Sequence, residues 1–229
     1  MIESLVPSAS TYAADIDFVF EMIFWMVTFW SVLTFGAFFW LLWRFRKGAS
    51  PKAEYLSGDE EYPKKIISWA HMAVLVFDVV ILFFAVRVWY QVKQDLPQPD
   101  HIVRIVAQQW AWSFYHEGPD GELGTPDDIA MNDELHLEVD QLYHYKLESR
   151  DVMHNFSVPV FRLKQDAIPG RVITGWFQPT QTGTYDVQCA EICGIGHGLM
   201  PATVVIESPA DHAAWVQSHS PLALASVEE

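Results

Sequence analysis

Two cysteines four residues apart head the segment Cys189-Ala-Glu-Ile-Cys193-Gly-Ile-Gly-His197-Gly-Leu-Met200. Cys193, His197 and Met200 fall within eight residues, and His154 lies 39 residues before Cys193. Two imidazoles, one thiolate and a weak thioether are the ligand types of a mononuclear blue-copper site. Cys189 adds a second thiolate. Two sulfurs can bridge two copper ions, each ion taking one histidine. Met200 and a backbone carbonyl, that of Glu191, would complete the pair. One electron shared over two metals changes each bond length little, which favours fast electron transfer. Gly194, Gly196 and Gly198 let the loop wrap closely round such a centre.

Three other chemistries fit the spacing. The cysteines could form a disulfide if the segment lies outside the cytoplasm. Two Cys and two His could hold a tetrahedral zinc ion. A single copper could leave one cysteine spare. None of these uses Met200 together with the second thiolate, and a disulfide leaves both histidines idle.

Ligands so far apart in sequence need a scaffold. From Gln91 onward, short alternating runs suggest strands: His101–His116, Glu134–Val139, Tyr143–Leu147, Asn155–Val160, Thr184–Gln188 and Thr203–Ile206. Turn signals separate them, among them Gly118-Pro119-Asp120-Gly121, Pro169-Gly170 and Thr182-Gly183. The spacing predicts a β-sandwich or barrel over 91–208, with a short helix and tail over 209–229. Ser208 can cap that helix and Pro209 suits its first position. The acidic stretch 120–128 reads as a solvated hairpin loop in preference to a calcium loop, since its spacing is not that of an EF-hand.

Before residue 91 the chain is different. Residues 18–43 carry a single charge, Glu21, and residues 66–90 carry only Asp78 and Arg87. A helix crossing a bilayer core needs about 20 apolar residues, so both stretches are long enough. The connecting segment 44–65 holds Arg44, Arg46, Lys47, Lys52, Lys64 and Lys65, whereas residues 1–17 contain no Lys or Arg. The positive-inside rule puts 44–65 in the cytoplasm and both termini outside. An ordinary cleavable signal peptide is not expected, because the N-terminus lacks a basic n-region. Asp78 at mid-membrane, with His71 two turns earlier, reads as an interface polar residue facing a partner in preference to a proton carrier. The fold class is thus an α+β membrane protein: a two-helix transmembrane hairpin followed by a β-sandwich or barrel domain.

Charge narrows the partners. The 229 residues carry a formal net charge of −15, and 51% are hydrophobic. Intrinsic disorder through low hydrophobicity is excluded. Nucleic-acid binding through a basic surface is excluded as well. Residues 91–229 hold 20 Asp and Glu against 7 Lys and Arg, a balance of −13. Such a field either keeps the domain soluble or steers a basic partner.

The segment Cys189 to Met200 resembles the CuA motif of subunit II of haem–copper cytochrome c oxidases. Gln109-Trp110-Ala111-Trp112-Ser113-Phe114, Asp151-Val152-Met153-His154-Asn155-Phe156 and Lys164-Gln165-Asp166-Ala167-Ile168-Pro169-Gly170-Arg171 are similar to further segments of that family. The resemblance covers roughly residues 15 to 217 and implies that the domain after the transmembrane hairpin is a cupredoxin-like β-sandwich or barrel. It implies a binuclear CuA centre held by His154, Cys189, Glu191 (through its carbonyl), Cys193, His197 and Met200. It implies a magnesium ion at the boundary with subunit I, held in part by the Glu191 carboxylate. Trp110 would be the aromatic through which electrons arrive, Trp112 a core residue, and Asp140 and Asp151 acids of the cytochrome-docking face. Asp166, Arg171 and Asp78 would touch subunit I. The implied partners are subunit I, other oxidase subunits, a separate c-type cytochrome donor and the lipid bilayer, and no nucleic acid. The implied location is a bacterial-type cytoplasmic membrane, with the CuA domain on the periplasmic side.

The chain departs from the family at one point. Many members carry a glutamate just before the Trp that opens the second helix, at the mouth of a proton path. Here Ile66-Ile67-Ser68 precedes Trp69, and the nearest acid upstream is Glu61. Two rival functions stand beside the oxidase: the CuA subunit of a related nitric oxide reductase, and a membrane-tethered copper-binding protein that catalyses nothing.

Overall fold

The computed structural model describes residues 2–49, 55 and 57–221. Lys52 and the tail beyond residue 221 lie outside the described residues. The chain divides into two compact units, residues 17–89 and residues 1–16 with 90–229.

The first unit is a pair of helices, α1 (Ala13–Arg44) and α2 (Glu61–Trp89). Both are long and apolar enough to cross a membrane. They run antiparallel, since Phe18 meets Phe84 at 5.2 Å while Trp30 meets Phe77 at 5.8 Å. Large apolar side chains such as Phe35, Phe39, Trp40, Leu82 and Phe83 point away from the pair and are exposed. Each helix starts five residues before its apolar stretch. At α2 the extra turn is polar: Lys65 pairs with Glu61 at 2.9 Å and Lys64 with Asp59 at 3.1 Å. Glu61 is therefore engaged in an exposed surface pair. Asp78 is exposed beside Phe77, so it is not the face of α2 that meets α1. His71 Nδ1 lies 2.9 Å from the Ile67 carbonyl of its own helix.

The second unit is a sandwich of two five-stranded sheets. One has the order β3-β2-β1-β5-β8 and the other β4-β10-β9-β6-β7. The strands are β1 (His101–Gln108), β2 (Ala111–His116), β3 (Ile129–Asn132), β4 (Glu134–Glu138), β5 (Tyr143–Ser149), β6 (His154–Val158), β7 (Leu163–Ala167), β8 (Ile173–Phe177), β9 (Gly183–Cys189) and β10 (Ala202–Glu207). Alternation dictates which face is buried. In β5, Tyr143, Tyr145 and Leu147 point in; in β10, Ala202, Val204 and Ile206 do. Trp112, Phe114, Phe156, Phe161 and Phe177 fill the space between the sheets. The run His101–His116, which reads as one stretch in sequence, is a hairpin that turns at Gln109 and Trp110. The sequence pattern predicts no strand at β3, β7 or β8. All three are short edge strands, and edges carry polar residues that blur the alternation.

Residues before α1 belong to the sandwich. Ala9 N–H donates to the Val160 carbonyl (2.9 Å), Thr180 N–H to Ala9 (3.0 Å) and Thr11 N–H to Gln178 (3.2 Å). Arg162 donates to the carbonyls of Val6 (2.9 Å) and Pro7 (3.1 Å). Tyr12 is fully buried, its ring 5.1 Å from that of Trp176.

A third helix, α3 (Pro209–His219), is capped by Ser208, whose side chain accepts from Asp211 N–H. It docks through Trp215, which is stacked on His136 at 4.3 Å and lies 5.0 Å from His116. Glu207 holds His136 (3.0 Å) and His212 (2.9 Å). Burial first, and then the charges of His136 and His212, push His116 down to about 3. Its unfolded value is about 6.5. The stability it confers by staying neutral is thus complete above pH 6.5. It is lost as the pH falls from 6.5 toward 3, by about 1.4 kcal/mol per pH unit. The melting temperature of the sandwich domain is expected to drop as the pH is lowered from 6.5 to 4, and His116→Phe to flatten that drop. Equal slopes in the two proteins would clear His116 as the cause.

Candidate metal centre

Strand register brings the ligand-type residues together. Phe156 on β6 pairs with Cys189 on β9, and the pairing continues through Ala190 N–H to the Asn155 carbonyl at 3.1 Å. That continuation sets His154 beside the loop joining β9 to β10. The loop turns back through a short 3-10 segment, His197–Leu199. Gly194 takes a left-handed φ of +125° there, which favours glycine.

The donor atoms form a connected chain. His154 Nδ1 lies 3.8 Å from Cys189 Sγ, which lies 3.9 Å from Cys193 Sγ. Cys193 Sγ is 3.6 Å from His197 Nδ1 and 3.4 Å from Met200 Sδ. The Glu191 carbonyl is 3.3 Å from Cys189 Sγ. His154, Cys193 and Met200 are buried. A disulfide has S–S near 2.05 Å, so the pair at 3.9 Å is two free thiols. Donors on one metal at bond lengths of about 2.0–2.3 Å stand roughly 3.3–3.8 Å apart, which is the range of nearly all these contacts. His154, Cys189 and Cys193 have donor atoms all within 4.8 Å of one another, and His197 is not part of that group. The four Cys and His donors therefore do not converge on one tetrahedral point, as a Cys2His2 zinc ion would require. Burial, then the neighbouring Cys189, pushes the Cys193 thiol up to about 11, so a soft cation binding here displaces a proton.

Hydrogen bonds fix the surroundings. Asp151 Oδ1 lies 2.9 Å from His154 Nε2 and accepts from Val152 N–H at 2.7 Å. Its Oδ2 accepts from Gln109 N–H at 2.6 Å. Although burial pushes the Asp151 carboxyl up, the bonds from His154, Gln109 and Val152 outweigh it and hold the group below the usual carboxylate range. Gln109 Nε2 donates to the Cys193 carbonyl at 2.7 Å. Trp112 is fully buried and its Nε1–H donates to the Met200 carbonyl at 3.2 Å. Trp110 is 38% exposed. Its ring lies flush against the loop, since a Cβ on Gly196 would stand 2.4 Å from Trp110 Cδ2.

The remaining residues fall elsewhere. Asp140, exposed, occupies the turn before β5 and Asp151 follows β5, a separation of about 20 Å along the strand; the structure does not bring Asp140 to Trp110. Asp166 sits opposite Asn155 on the edge strand β7 and accepts from Asn155 Nδ2 at 2.7 Å. Arg171 is exposed in the turn after β7. Among the described residues, the Glu191 carboxylate has no hydrogen-bond partner. Gln109 escaped the sequence reading as a functional residue, because its partner is 84 positions away and nothing local marks it.

Residues 101–208 match the family model described as cytochrome c oxidase subunit II, periplasmic domain. The alternative cytochrome c oxidase subunit 2 of Bradyrhizobium diazoefficiens is 33% identical over 232 aligned positions, covering 91% of this chain and 81% of that protein. The chain belongs to the cytochrome c oxidase subunit II family. Another member, cytochrome c oxidase subunit 2 of Cereibacter sphaeroides, is 26% identical over 92% of this chain and 78% of its own length. Among solved structures, the periplasmic domain of subunit II of Bradyrhizobium japonicum cytochrome oxidase is 27% identical, with a TM-score of 0.49, covering 55% of this chain and 96% of that one. This subunit II chain thus combines a hairpin of two helices long and apolar enough to cross a membrane with a cupredoxin-like β-sandwich domain.

Proposed function

We propose that this chain is the electron-accepting subunit of a terminal cytochrome c oxidase, holding a binuclear CuA centre. The observation that carries the reading is the pair of free Sγ atoms 3.9 Å apart, each faced by its own imidazole. Met200 and the Glu191 carbonyl supply the weak ligand at either end. When bound, the copper pair supplies one-electron exchange with little change in bond length. The chain's residues hold the donors fixed, bury the Cys193 side from water and present Trp110 to the surface. Electrons would arrive from a c-type cytochrome and pass to haem in subunit I, where oxygen is reduced to water and protons are pumped.

The acidic field of the outer domain, to which exposed Asp140 contributes, suits a basic donor. The unpartnered Glu191 carboxylate suits a magnesium ion shared with subunit I. Asp166 on the β7 edge, Arg171 in the turn after it, and Asp78 on the exposed side of α2 suit contact with that subunit. The basic connection between the helices would lie in the cytoplasm and the sandwich on the periplasmic side.

Paramagnetic resonance of the purified oxidized complex tests the reading. Hyperfine structure from one unpaired electron shared equally by two copper nuclei is expected. A single-copper pattern, or a silent zinc form, would overturn it.

A further inference from the structure

We propose that Trp112, with Asp133 behind it, is a positioning residue: it sets where the Met200 thioether stands against the copper pair. The proposal rests on the copper reading above. Thiolate and imidazole bonds to copper are strong and impose their own lengths. A thioether is a weak ligand whose distance the polypeptide sets, and that distance tunes the potential. Met200 is buried and its Sδ stands 3.4 Å from Cys193 Sγ. The loop alone does not fix it. The backbone bonds from His197 N–H to Gly194 (3.2 Å) and from Leu199 N–H to Gly196 (2.8 Å) stay within the loop, and Leu199 is exposed. Pro201, the next residue, has no N–H to give. The tie from Met200 to the sandwich is its carbonyl, which accepts from Trp112 Nε1–H at 3.2 Å.

The indole can act as a fixed arm because its own place is held from several sides. Trp112 is fully buried, its ring edge-on to those of Phe156 at 5.6 Å and His154 at 6.1 Å. One residue grips its main chain at both polar groups. Trp112 N–H donates to Asp133 Oδ1, and the Trp112 carbonyl accepts from Asp133 N–H, each at 2.9 Å. Asp133 lies where the chain passes from β3 in one sheet to β4 in the other. It takes a left-handed φ of +59°, which aspartate, asparagine and glycine adopt more readily than other residues. Its carbonyl accepts from Thr203 N–H at 2.9 Å, three residues past Met200. The exit of the metal loop is therefore tied at Met200 and at Thr203, and both ties lead to the Trp112–Asp133 pair. Since the indole also meets the His154 ring, one side chain reaches both ends of the chain of donors.

Three variants of the assembled oxidase test this. Trp112→Phe keeps an apolar ring but removes the N–H. Asp133→Gly keeps the left-handed backbone but removes the carboxylate, and Asp133→Asn keeps both an oxygen acceptor and the backbone. Trp112→Phe is expected to retain both copper ions with altered hyperfine couplings and a shifted reduction potential. Asp133→Gly should move both in the same direction by less, and Asp133→Asn should restore the wild-type values. Copper loss to a chelator should speed up by no more than about tenfold, the low end for outer-shell partners, because both thiolates and both imidazoles stay. Amide deuterium exchange over residues 200–205, a readout that needs no copper signal, should rise in Trp112→Phe and Asp133→Gly. Wild-type couplings and potential in Trp112→Phe, with only a lower melting temperature, would overturn the proposal and leave Trp112 a core residue. If Trp112→Phe does not assemble, the two Asp133 variants decide, and equal couplings in both would overturn it. Absence of a binuclear signal in the wild type would instead sink the copper reading itself.

Discussion

Cys193→Ser is expected to abolish oxidation of reduced cytochrome c while leaving the outer domain folded. Cys193 is 3% exposed and its sulfur touches Cys189, His197 and Met200 at 3.9, 3.6 and 3.4 Å. Cys189 is placed likewise, its sulfur touching His154, Cys193 and the Glu191 carbonyl, so the two sulfurs are the hubs of the donor set. Serine keeps the volume but is a hard oxygen ligand, poorly matched to copper. The binuclear absorption and the shared-spin resonance should vanish together. Turnover should fall by at least about three orders of magnitude, equivalent to roughly 4 kcal/mol on the barrier. Cys193 lies in the loop between β9 and β10 and serine is close to it in size, so the far-ultraviolet circular dichroism should stay unchanged. A variant that retains the shared-spin signal would show that the copper is held elsewhere.

Trp110→Ala should separate electron delivery from copper binding. The indole lies on the loop at Gly196, between Cys193 and His197, and its outer side meets solvent. Removing it leaves every donor atom in place but withdraws the surface aromatic nearest the site. The rate of copper reduction by a reduced cytochrome should drop by more than about tenfold, or 1.4 kcal/mol. The copper bands should remain where they are. Rapid-mixing measurement of that reduction decides the matter: loss of the copper bands would make Trp110 a structural wedge, and an unchanged rate would place electron arrival elsewhere on the domain.

The hairpin was legible from sequence because stretch length and charge depletion are local properties. So were β5 and β10, whose residues alternate in and out without a break. β7 was not, because Leu163-Lys-Gln-Asp-Ala buries only its two ends, and an edge strand needs no more. The candidate metal centre was legible because five of its six proposed ligand residues crowd into twelve positions. Its support was hidden. Gln109 and Cys193 are far apart in sequence, and only the turn of the β1–β2 hairpin brings them together. Asp151 is an exposed acid whose bonds to His154 and to the Gln109 backbone are likewise not announced locally. The His116, His136, His212 and Trp215 group combines β2, β4 and α3, and no single stretch of sequence announces it.

The segment before α1 has a consequence for how the chain is made. Val6 to Tyr12 is laced to Val160, Phe161, Trp176, Gln178 and Thr180, residues that are synthesised more than 140 positions later. The two halves of this lacing can meet only on the same side of the bilayer, which demands that the chain cross an even number of times between them. A polypeptide inserted with one span missing would leave Ala9, Tyr12 and the Arg162 guanidinium without their mates and the sandwich open at that seam. The seam between Val6–Tyr12 and residues 160–180 is in this sense sensitive to topology: with α1 and α2 as membrane spans, it closes only when both have crossed.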